Sequence, residues 1–597
     1  MRLINVETLD LLEFFGASIP PYAILSHTWS KEEVTFQDWQ DPGRRIRKAG
    51  FAKIEGARRQ ARRNGFKWLW VDTNCIDKSS SAELSEAINS MFAWYQRAGI
   101  CYAHLEDIVT AGTEEGRLMS PLGSSRWFTR GWTLQELLAP QNVHFYDQNW
   151  NRIGSRNNAL VKQIEAITGI ESDYLVGKIT VKNASIAKKM CWVSRRTTTR
   201  EEDMAYCMLG LFDINMPLLY GEGAKAFVRL QEEIIKVSTD HTLFCWQWQP
   251  STPRDWASLL APDPSAFIYT RRVVQMTTQF HAYGTSKRNQ EISTYLMTNA
   301  GLSIRLPVLY TWSGYLVALE ATHEHGTDTR AKELTQYWLL LYGDQRADQL
   351  YLQRQAVPMG PVILDHSLQQ FADRRSIIVR KEKSRETSTN QISWGLTPED
   401  LQQQNGKLFG CFFVFHSNKL RNRWLRDNAP RSYIRSDFVW LKSRKKAMSR
   451  GTRTPASFEV VYQFMMNVFQ GQEGGSRPGQ KWGSLFLAVR TTSFSNDAAW
   501  FARIITHTWP LKGVREQPKL EELLLWVLSS QNEQHSQVSV DLNLRLRLGQ
   551  SEMVDVHGAR ARLLLLSEVL TKPEMDLDDV ASNDSREVVF PKVSSGM

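Results

Sequence analysis

The chain of 597 residues is 42% hydrophobic and too long for one hydrophobic core, so we expect about two to four domains. Its first ten residues, MRLINVETLD, lack the basic start and apolar centre of a signal peptide. No apolar run approaches the ~20 residues that a membrane-spanning helix requires. We therefore expect a cytoplasmic protein with no membrane partner.

The net charge of +10 is concentrated in one short stretch of the sequence. Nine basic residues, against the single acidic Glu55, lie between Arg44 and Arg63. Apolar residues recur there at helical spacing with basic residues on the opposite side, so a solvated helix face accounts for the charge. Because this stretch carries no recognised nucleic-acid motif, nucleic acid is not an expected partner.

The six cysteines lie far apart, without a Cys-x-x-Cys pair, and no histidines cluster at zinc-ligand spacing. This pattern predicts neither a metal site nor a disulfide framework.

Strand-like and helix-like segments alternate over residues 1–150. One helix is predicted over 44–64, and another begins after a capping box at Ser80 and Glu83. Four strands are predicted where short apolar runs meet polar residues, at 21–29, 67–78, 99–108 and 143–146. This alternation is typical of an α/β fold with a parallel sheet, right-handed crossovers and helices on both faces.

Polar residues follow the first three predicted strands at the point where each strand ends. In parallel α/β sheets these ends meet at one edge, and ligands bind there. The sequence therefore predicts a ligand site from residues of three strands. They are Ser26 and His27, then Asp72, Asn74 and Cys75, and then His104 and Glu106.

Residues 125–147 predict a helix that runs into the fourth strand. Bulky apolar residues recur in it at helical spacing, and Pro140 ends the helix. Glu136 lies inside this mostly buried helix, where a carboxylate is costly unless it is hydrogen-bonded, paired or functional. The residues alone allow an ion pair with a basic neighbour such as Arg130, or a functional carboxylate.

The rest of the chain predicts a helical extension at 151–250, a β-rich domain at 251–570 and a disordered tail at 571–597. Within the β-rich domain, 471–480 predicts a flexible loop and the basic run at 441–453 an exposed loop.

Within the helical extension, two helices and their connection are predicted. Thr199 and Glu202 form a capping box for the first helix, and the second runs over 222–237. Leu218 and Leu219 of the connection are expected to pack inward.

Three stretches resemble, in order and spacing, the signature blocks of the fungal heterokaryon-incompatibility (HET) domain. They are AILSHTW at 23–29, WVDTNCIDK at 70–78 and RGWTLQELLAP at 130–140. Residues 194–234 resemble the extension of the subgroup that includes vegetative-incompatibility proteins, and the resemblance covers roughly residues 1–260. It implies a role in non-self recognition and in the cell-death response when incompatible fungal cells fuse.

HET domains are also similar to TIR domains, whose sheet is flavodoxin-like and some of which cleave NAD with a glutamate in a Trp-Cys-x-x-Glu-Leu context. Residues 132–137, WTLQEL, fit that context with Thr133 in place of the cysteine. The resemblance implies a strand order of 2-1-3-4, with the central strands marked by Leu25, Val71 and Tyr102. It also implies Glu136 as the catalytic residue. The expected substrate-binding residues are Ser26, His27, Trp29, Asp72, Cys75 and Trp132.

Three functional hypotheses follow. In the first, Glu136 stabilises the cationic transition state of NAD cleavage, with NAD as a substrate because no Gly-x-Gly-x-x-Gly cofactor fingerprint is present. In the second, the domain is a non-enzymatic module that signals by self-association into a homo-oligomer, and the C-terminal domain binds an unknown protein partner. In the third, Cys75, His27 and Asp72 form a nucleophilic site.

Overall fold

The computed structural model describes most of the first 276 residues and selected parts of the remaining chain. The described residues are 1–110, 122–253, 256, 258–276, 294–311, 315–324, 335–346, 349–354, 361–366, 369, 372–380 and eight later strands whose bounds are given below.

The N-terminal region is built on one seven-stranded sheet with helices on both faces. Its strands are β1 (Arg2–Asn5), β2 (Leu11–Glu13), β3 (Ala23–His27), β4 (Trp68–Trp70), β5 (Ile100–His104), β6 (Val143–Tyr146) and β7 (Arg152–Ser155). Its helices are α1 (Phe36–Trp39), α2 (Pro42–Arg45), α3 (Phe51–Arg63), α4 (Ser81–Arg97) and α5 (Thr133–Leu138).

The strand order is β2-β1-β4-β3-β5-β6-β7. The inner strands β4, β3, β5 and β6 are parallel to one another, which confirms the α/β fold and the predicted order 2-1-3-4. Leu25 pairs with Tyr102 in the two central strands, whereas the fully buried Val71 lies one residue beyond β4. The sequence analysis missed the edge strands β1, β2 and β7, which pair antiparallel and make the sheet mixed.

Successive residues of β3 point to opposite faces of the sheet, as the pleat of a strand requires. Ser26 contacts Glu136 of α5 on one face. The neighbouring residues Leu25 and His27 therefore point to the other face, which α3 covers. Tyr102, the register partner of Leu25, confirms this because its hydroxyl donates to Asn64 directly after α3, at 3.2 Å.

Two predicted helices are each interrupted in the structure. The helix expected over 44–64 is split into α2 and α3, because the Gly50 N–H donates to the carbonyl of Glu32 in another segment. The helix expected from residue 125 consists of a 3-10 turn, Arg126–Thr129, followed by α5. The break lies at Gly131, whose N–H donates to the carbonyl of Thr197 at 2.9 Å.

Six helices form the extension that follows β7. They are α6 (Val161–Thr168), α7 (Ser172–Leu175), α8 (Ile186–Val193), α9 (Asp203–Tyr206), α10 (Leu209–Phe212) and α11 (Lys225–Val237).

The capping box predicted at Thr199 and Glu202 is not formed. The Glu202 carboxylate instead accepts from the backbone N–H groups of Gly221 and Gly223, and so it holds the connection before α11. Leu219 of that connection is 52% exposed, so the expectation that it packs inward was wrong.

The region after residue 270 contains only strands among its described elements. The first nine are β8 (Val273–Gln275), β9 (Tyr295–Thr298), β10 (Gly301–Thr311), β11 (Tyr315–Ala318), β12 (Ala321–His323), β13 (Thr335–Arg346), β14 (Gln349–Arg354), β15 (Val362–Asp365) and β16 (Asp373–Val379). The other eight are β17 (Gly410–Phe415), β18 (Phe458–Phe469), β19 (Gln480–Thr491), β20 (Trp500–Trp509), β21 (Gln537–Asp541), β22 (Leu544–Leu548), β23 (Glu552–Val556) and β24 (Ala559–Leu570).

Strands β10, β11, β13, β14 and β16 close into a five-stranded barrel, since β16 pairs with β10 and β10 with β11. The pairing among the described strands is mainly antiparallel, with parallel pairs at β14–β16 and β17–β24. Closure removes the exposed strand edges that would otherwise bind other chains. The described strands confirm the predicted β-rich region. The loop predicted at 441–453, the loop predicted before Gln480 and the tail predicted at 571–597 lie outside the described residues.

The helical extension contacts the barrel through buried groups. Phe244 lines the barrel interior together with apolar barrel residues such as Leu339. Arg354 of β14 donates to the carbonyl of Trp246 at 2.9 Å, and its guanidinium lies 3.6 Å from the centre of the Trp246 ring. The boundary predicted near residue 250 therefore lies within a packed seam. None of the described helices is both long and apolar enough to cross a membrane.

Candidate functional site

Glu136 is buried beneath the C-terminal end of β3, where a chain of hydrogen bonds holds its carboxyl group. The Ser26 hydroxyl donates to Oε2 of Glu136 at 2.5 Å. Because that hydroxyl has a single proton, its oxygen serves as an acceptor for the indole Nε1–H of Trp127 at 2.8 Å. Trp127 thereby fixes the direction in which Ser26 donates.

Tyr95 of α4 provides the second polar contact of Glu136. The Tyr95 hydroxyl donates its only proton to the carbonyl of Leu25 at 3.2 Å. The contact of Tyr95 with Glu136 lowers the pKa of the carboxyl group, as does the hydrogen bond from Ser26. Burial outweighs these two contacts and raises the pKa of Glu136 to about 8, so the carboxyl group is mostly neutral at pH 7.

The short helix α5, which presents Glu136, is held at both ends by buried arginines. Arg196 of the extension donates to the carbonyl of Arg130 and to the hydroxyl of Thr133, each at 2.9 Å. Arg156 donates to the carbonyl of Leu137 and, at 2.8 Å, to that of Gln141. A helix of six residues has little stability of its own, so these tertiary contacts fix the position of Glu136.

The ion pair suggested between Glu136 and Arg130 is not formed. Arg130 donates instead to the hydroxyl of Thr199 in the extension, at 3.1 Å. Thr133, which replaces the cysteine of the TIR-like pattern, lies within hydrogen-bonding distance of two backbone carbonyls and accepts from Arg196. Thr133 therefore has a positioning role in this chain, because it joins α5 to the turn before it.

His27 lies on the opposite face of the sheet from Glu136, in a second polar cluster. Its side chain is 1% exposed, and its Nε2 lies 3.8 Å from Oε2 of Glu33 and 3.8 Å from Oδ1 of Asp72. Burial and the Lys53 charge lower the pKa of His27 to about 4, although both carboxylates raise it. The imidazole is therefore neutral at pH 7.

Trp29 and Asp72 lie at the rim of this second cluster. The indole Nε1–H of Trp29 donates to Oδ2 of Asp72 at 2.9 Å, and the Lys78 ammonium lies 3.5 Å from the centre of the Trp29 ring. Burial works to raise the pKa of Asp72, but Lys78, His27 and the bond from Trp29 outweigh it and lower that pKa. Asp72 is therefore ionised at pH 7.

Cys75 and Trp132 contact neither Glu136 nor His27 through any described hydrogen bond. The buried Cys75 thiol accepts from the backbone N–H of Val71 at 3.4 Å, and burial raises its pKa to about 12. This environment disfavours a thiolate and argues against a nucleophilic Cys75. Trp132 is turned toward Asp203 of the extension, to which it is hydrogen-bonded.

The expected site residues thus separate into two groups, and the structure adds members to each. Ser26 lies with Glu136, and the structure adds Tyr95 and Trp127 to this group. Their polar atoms could have indicated a role, since buried tyrosine and tryptophan need hydrogen-bond partners. On the other face, Lys53 was overlooked although it lies four residues before Ala57, on the buried stripe of α3.

Comparisons with known proteins test the family resemblance of the chain. The family model described as heterokaryon incompatibility protein (HET) matches residues 22–117. Vegetative incompatibility protein HET-E-1 of Podospora anserina is 50% identical over 227 residues, which is 37% of this chain and 16% of the relative. No solved structure matches the chain. The predicted resemblance to fungal HET-domain proteins of the vegetative-incompatibility type is therefore confirmed for this region.

Proposed function

We propose that this chain is a heterokaryon incompatibility protein, which answers non-self recognition with a cell-death signal. The HET match at residues 22–117 and the 50% identity to vegetative incompatibility protein HET-E-1 over 227 residues support this role. The match spans only 16% of that relative, so the trigger and the partner are part of the proposal. We assign cytoplasmic signalling to the α/β region, and recognition of a protein partner to the β-rich region.

The signal that we propose is the cleavage of NAD, which binds as a substrate rather than as a resident cofactor. The supporting observation is the buried Glu136, held by Ser26 at the C-terminal end of β3, where parallel α/β sheets bind ligands. The bond between ribose C1′ and the nicotinamide nitrogen breaks, and its electron pair leaves with neutral nicotinamide. An ionised Glu136 stabilises the oxocarbenium ion, to which water adds with loss of a proton.

Glu136 must lose its own proton before it can stabilise a cation. The hydrogen bond from Ser26 and the charge of Arg196 both lower the pKa of Glu136, but burial keeps that pKa at about 8. Nicotinamide release should therefore increase with pH and reach half of its maximum at about pH 8, because Glu136 is half ionised at its pKa.

The direct test is to incubate the purified full chain with NAD and to measure nicotinamide release. Glu136→Gln keeps the shape of the side chain and removes its charge, so release should fall by about a hundredfold or more. Glu55→Gln is the matched control, because Glu55 pairs with Arg58 on the outer side of α3, and it should release nicotinamide at the unmodified rate. No release by the unmodified chain would reject NAD cleavage.

A second candidate function is a non-enzymatic module that signals by self-association. One observation favours it: Glu136 is 7% exposed, and the hydrogen bonds described for it come from within the chain, as for a structural group. Cell killing on expression separates the two candidates. If Glu136→Gln folds normally and kills as well as the unmodified chain, the self-associating module is the better assignment.

A further inference from the structure

The cluster around His27 contains buried polar atoms for which the described residues offer no hydrogen bond. They are both ring nitrogens of His27 and Oε2 of Glu33. All the hydrogen bonds that Glu33 accepts reach its other oxygen, from Ser30 and Lys53. Unpaired buried polar atoms are costly, so their grouping at one sheet edge indicates a place where a polar molecule binds.

The spacing of these atoms shows that they do not hydrogen-bond to one another. The 3.8 Å distances from Nε2 of His27 to Glu33 and to Asp72 are too long for direct hydrogen bonds. An oxygen placed among the three groups can donate to one carboxylate and accept from the imidazole. The side chains of His27, Glu33 and Lys53 are buried, at 1%, 8% and 7% exposure. The Asp72 side chain, at the rim of the cluster, is 22% exposed.

The charges of the cluster select the type of ligand. Three carboxylates, those of Glu33, Asp72 and Glu106, lie with two ammonium groups, Lys53 and Lys78, and a neutral His27. A phosphate would approach the carboxylates, and an ammonium ligand would approach the lysines. A hydroxyl group carries no charge and both donates and accepts, so it can satisfy the free carboxylate oxygens and the imidazole together.

We propose that the cluster of His27, Glu33, Lys53 and Asp72 binds sugar hydroxyl groups, on the face of the sheet opposite Glu136. The hydroxyl groups belong either to a free sugar or to the ribose of a nucleotide. Glu33 and Asp72 accept from them, and His27 completes the third contact. This binding site goes beyond the proposed function, because it is separate from the Glu136 carboxyl group and does not depend on NAD cleavage.

Titration calorimetry on the full chain tests the site with D-ribose, ADP-ribose and inorganic phosphate. At least one of the two sugar compounds should bind. Binding of ADP-ribose alone would identify the ligand as a nucleotide, and binding of both compounds would identify it as a free sugar. Phosphate should neither bind nor displace them. Asp72→Asn, at the rim, and Glu33→Gln should each weaken binding about tenfold or more, since each removes a hydrogen bond to a charged group. Glu55→Gln should bind as the unmodified chain does.

Three outcomes would overturn the proposal. The first is no binding of either sugar by the unmodified chain, which leaves water as the occupant. The second is displacement by phosphate, and the third is unchanged binding by Asp72→Asn and Glu33→Gln with unchanged melting temperatures. Nicotinamide release is measured separately, so the two proposals can fail independently. Sugar binding without nicotinamide release would reject NAD cleavage but not this site. Nicotinamide release without sugar binding would reject this site but not NAD cleavage.

Discussion

The Ser26 hydroxyl donates to Oε2 of Glu136, and the two residues are 110 positions apart in the sequence. This contact joins the central strand β3 to the short helix α5 on one face of the sheet. Because Trp127 donates to the same hydroxyl, Ser26 can point its proton only toward Glu136. The carboxyl group is thereby held in one orientation inside the core, so its protonation state affects the stability of the fold.

The first prediction concerns the pH dependence of stability at Glu136. Its pKa is about 8 in the folded chain and 4.5 in a solvated one, so only the unfolded chain releases the proton between these values. The unmodified chain should lose about 1.4 kcal/mol of stability per pH unit relative to Glu136→Gln over this range. Melting temperatures of both proteins at pH 5, 6, 7 and 8 measure the difference, and parallel curves would show that Glu136 is ionised when folded.

The second prediction is that Ser26→Ala destabilises the fold and raises the pKa of Glu136 further. The substitution leaves the indole of Trp127 without its acceptor and Glu136 without its donor, which should cost about 1 to 3 kcal/mol. Calorimetry measures the loss, and the pH profile of nicotinamide release should shift upward. Ser18→Ala is a control in an exposed 3-10 turn, and an equal effect there would contradict the specific role of Ser26.

The third prediction concerns Arg196, which joins the extension to α5. Arg196→Met removes hydrogen bonds to the carbonyl of Arg130 and the hydroxyl of Thr133, and should cost about 2 to 3 kcal/mol. It also removes a positive charge that lowers the pKa of Glu136, so nicotinamide release should need a higher pH. The exposed neighbour Arg195→Met is the matched control. Equal melting temperatures and pH profiles for the two variants would contradict the positioning role.

The fourth prediction is that Gly56→Ala destabilises the chain although alanine favours helices. A methyl group on Gly56 in α3 would lie 2.0 Å from the indole of Trp150, which packs against this helix and stacks on His104. The collision should cost about 1 to 3 kcal/mol. In a Trp150→Ala background the same substitution should instead be neutral or stabilising by up to about 1 kcal/mol. Thermal unfolding of the unmodified chain, the two single variants and the double variant measures the effect of Gly56→Ala in both backgrounds. The same loss of stability in both backgrounds would contradict the collision with Trp150.

The fifth prediction tests the seam between the extension and the barrel. Phe244 lies in the barrel interior, so Phe244→Ala should cost about 3 to 5 kcal/mol and increase proteolytic cleavage near residue 250. The exposed Val237→Ala, at the end of α11, provides the control. If the extension and the barrel fold independently, as the predicted domain boundaries suggested, Phe244→Ala would leave the stability of the barrel unchanged. That result would contradict this prediction.

The resemblance to HET and TIR domains implied the order of the four inner strands, whereas the sequence by itself determined the α/β class and singled out two separate blocks. These properties depend on local patterns: the buried strands read as short apolar runs, and Ser26 and Glu136 each stand out in an apolar stretch. The edge strands β1 and β2 were missed because each is short, at four and three residues, and their pairing depends on neighbours far along the chain.

Only the tertiary structure decided which polar residues meet. His27 and Ser26 are adjacent in sequence, yet the pleat of β3 sends them to opposite faces, so a single predicted pocket became two clusters. The pKa of Glu136 depends on burial in the assembled core, and also on Tyr95 of α4 and on Ser26, which Trp127 contacts from the turn before α5. Burial and hydrogen-bond direction are properties of that assembled environment, because each depends on atoms from segments that only folding brings within 3 to 4 Å.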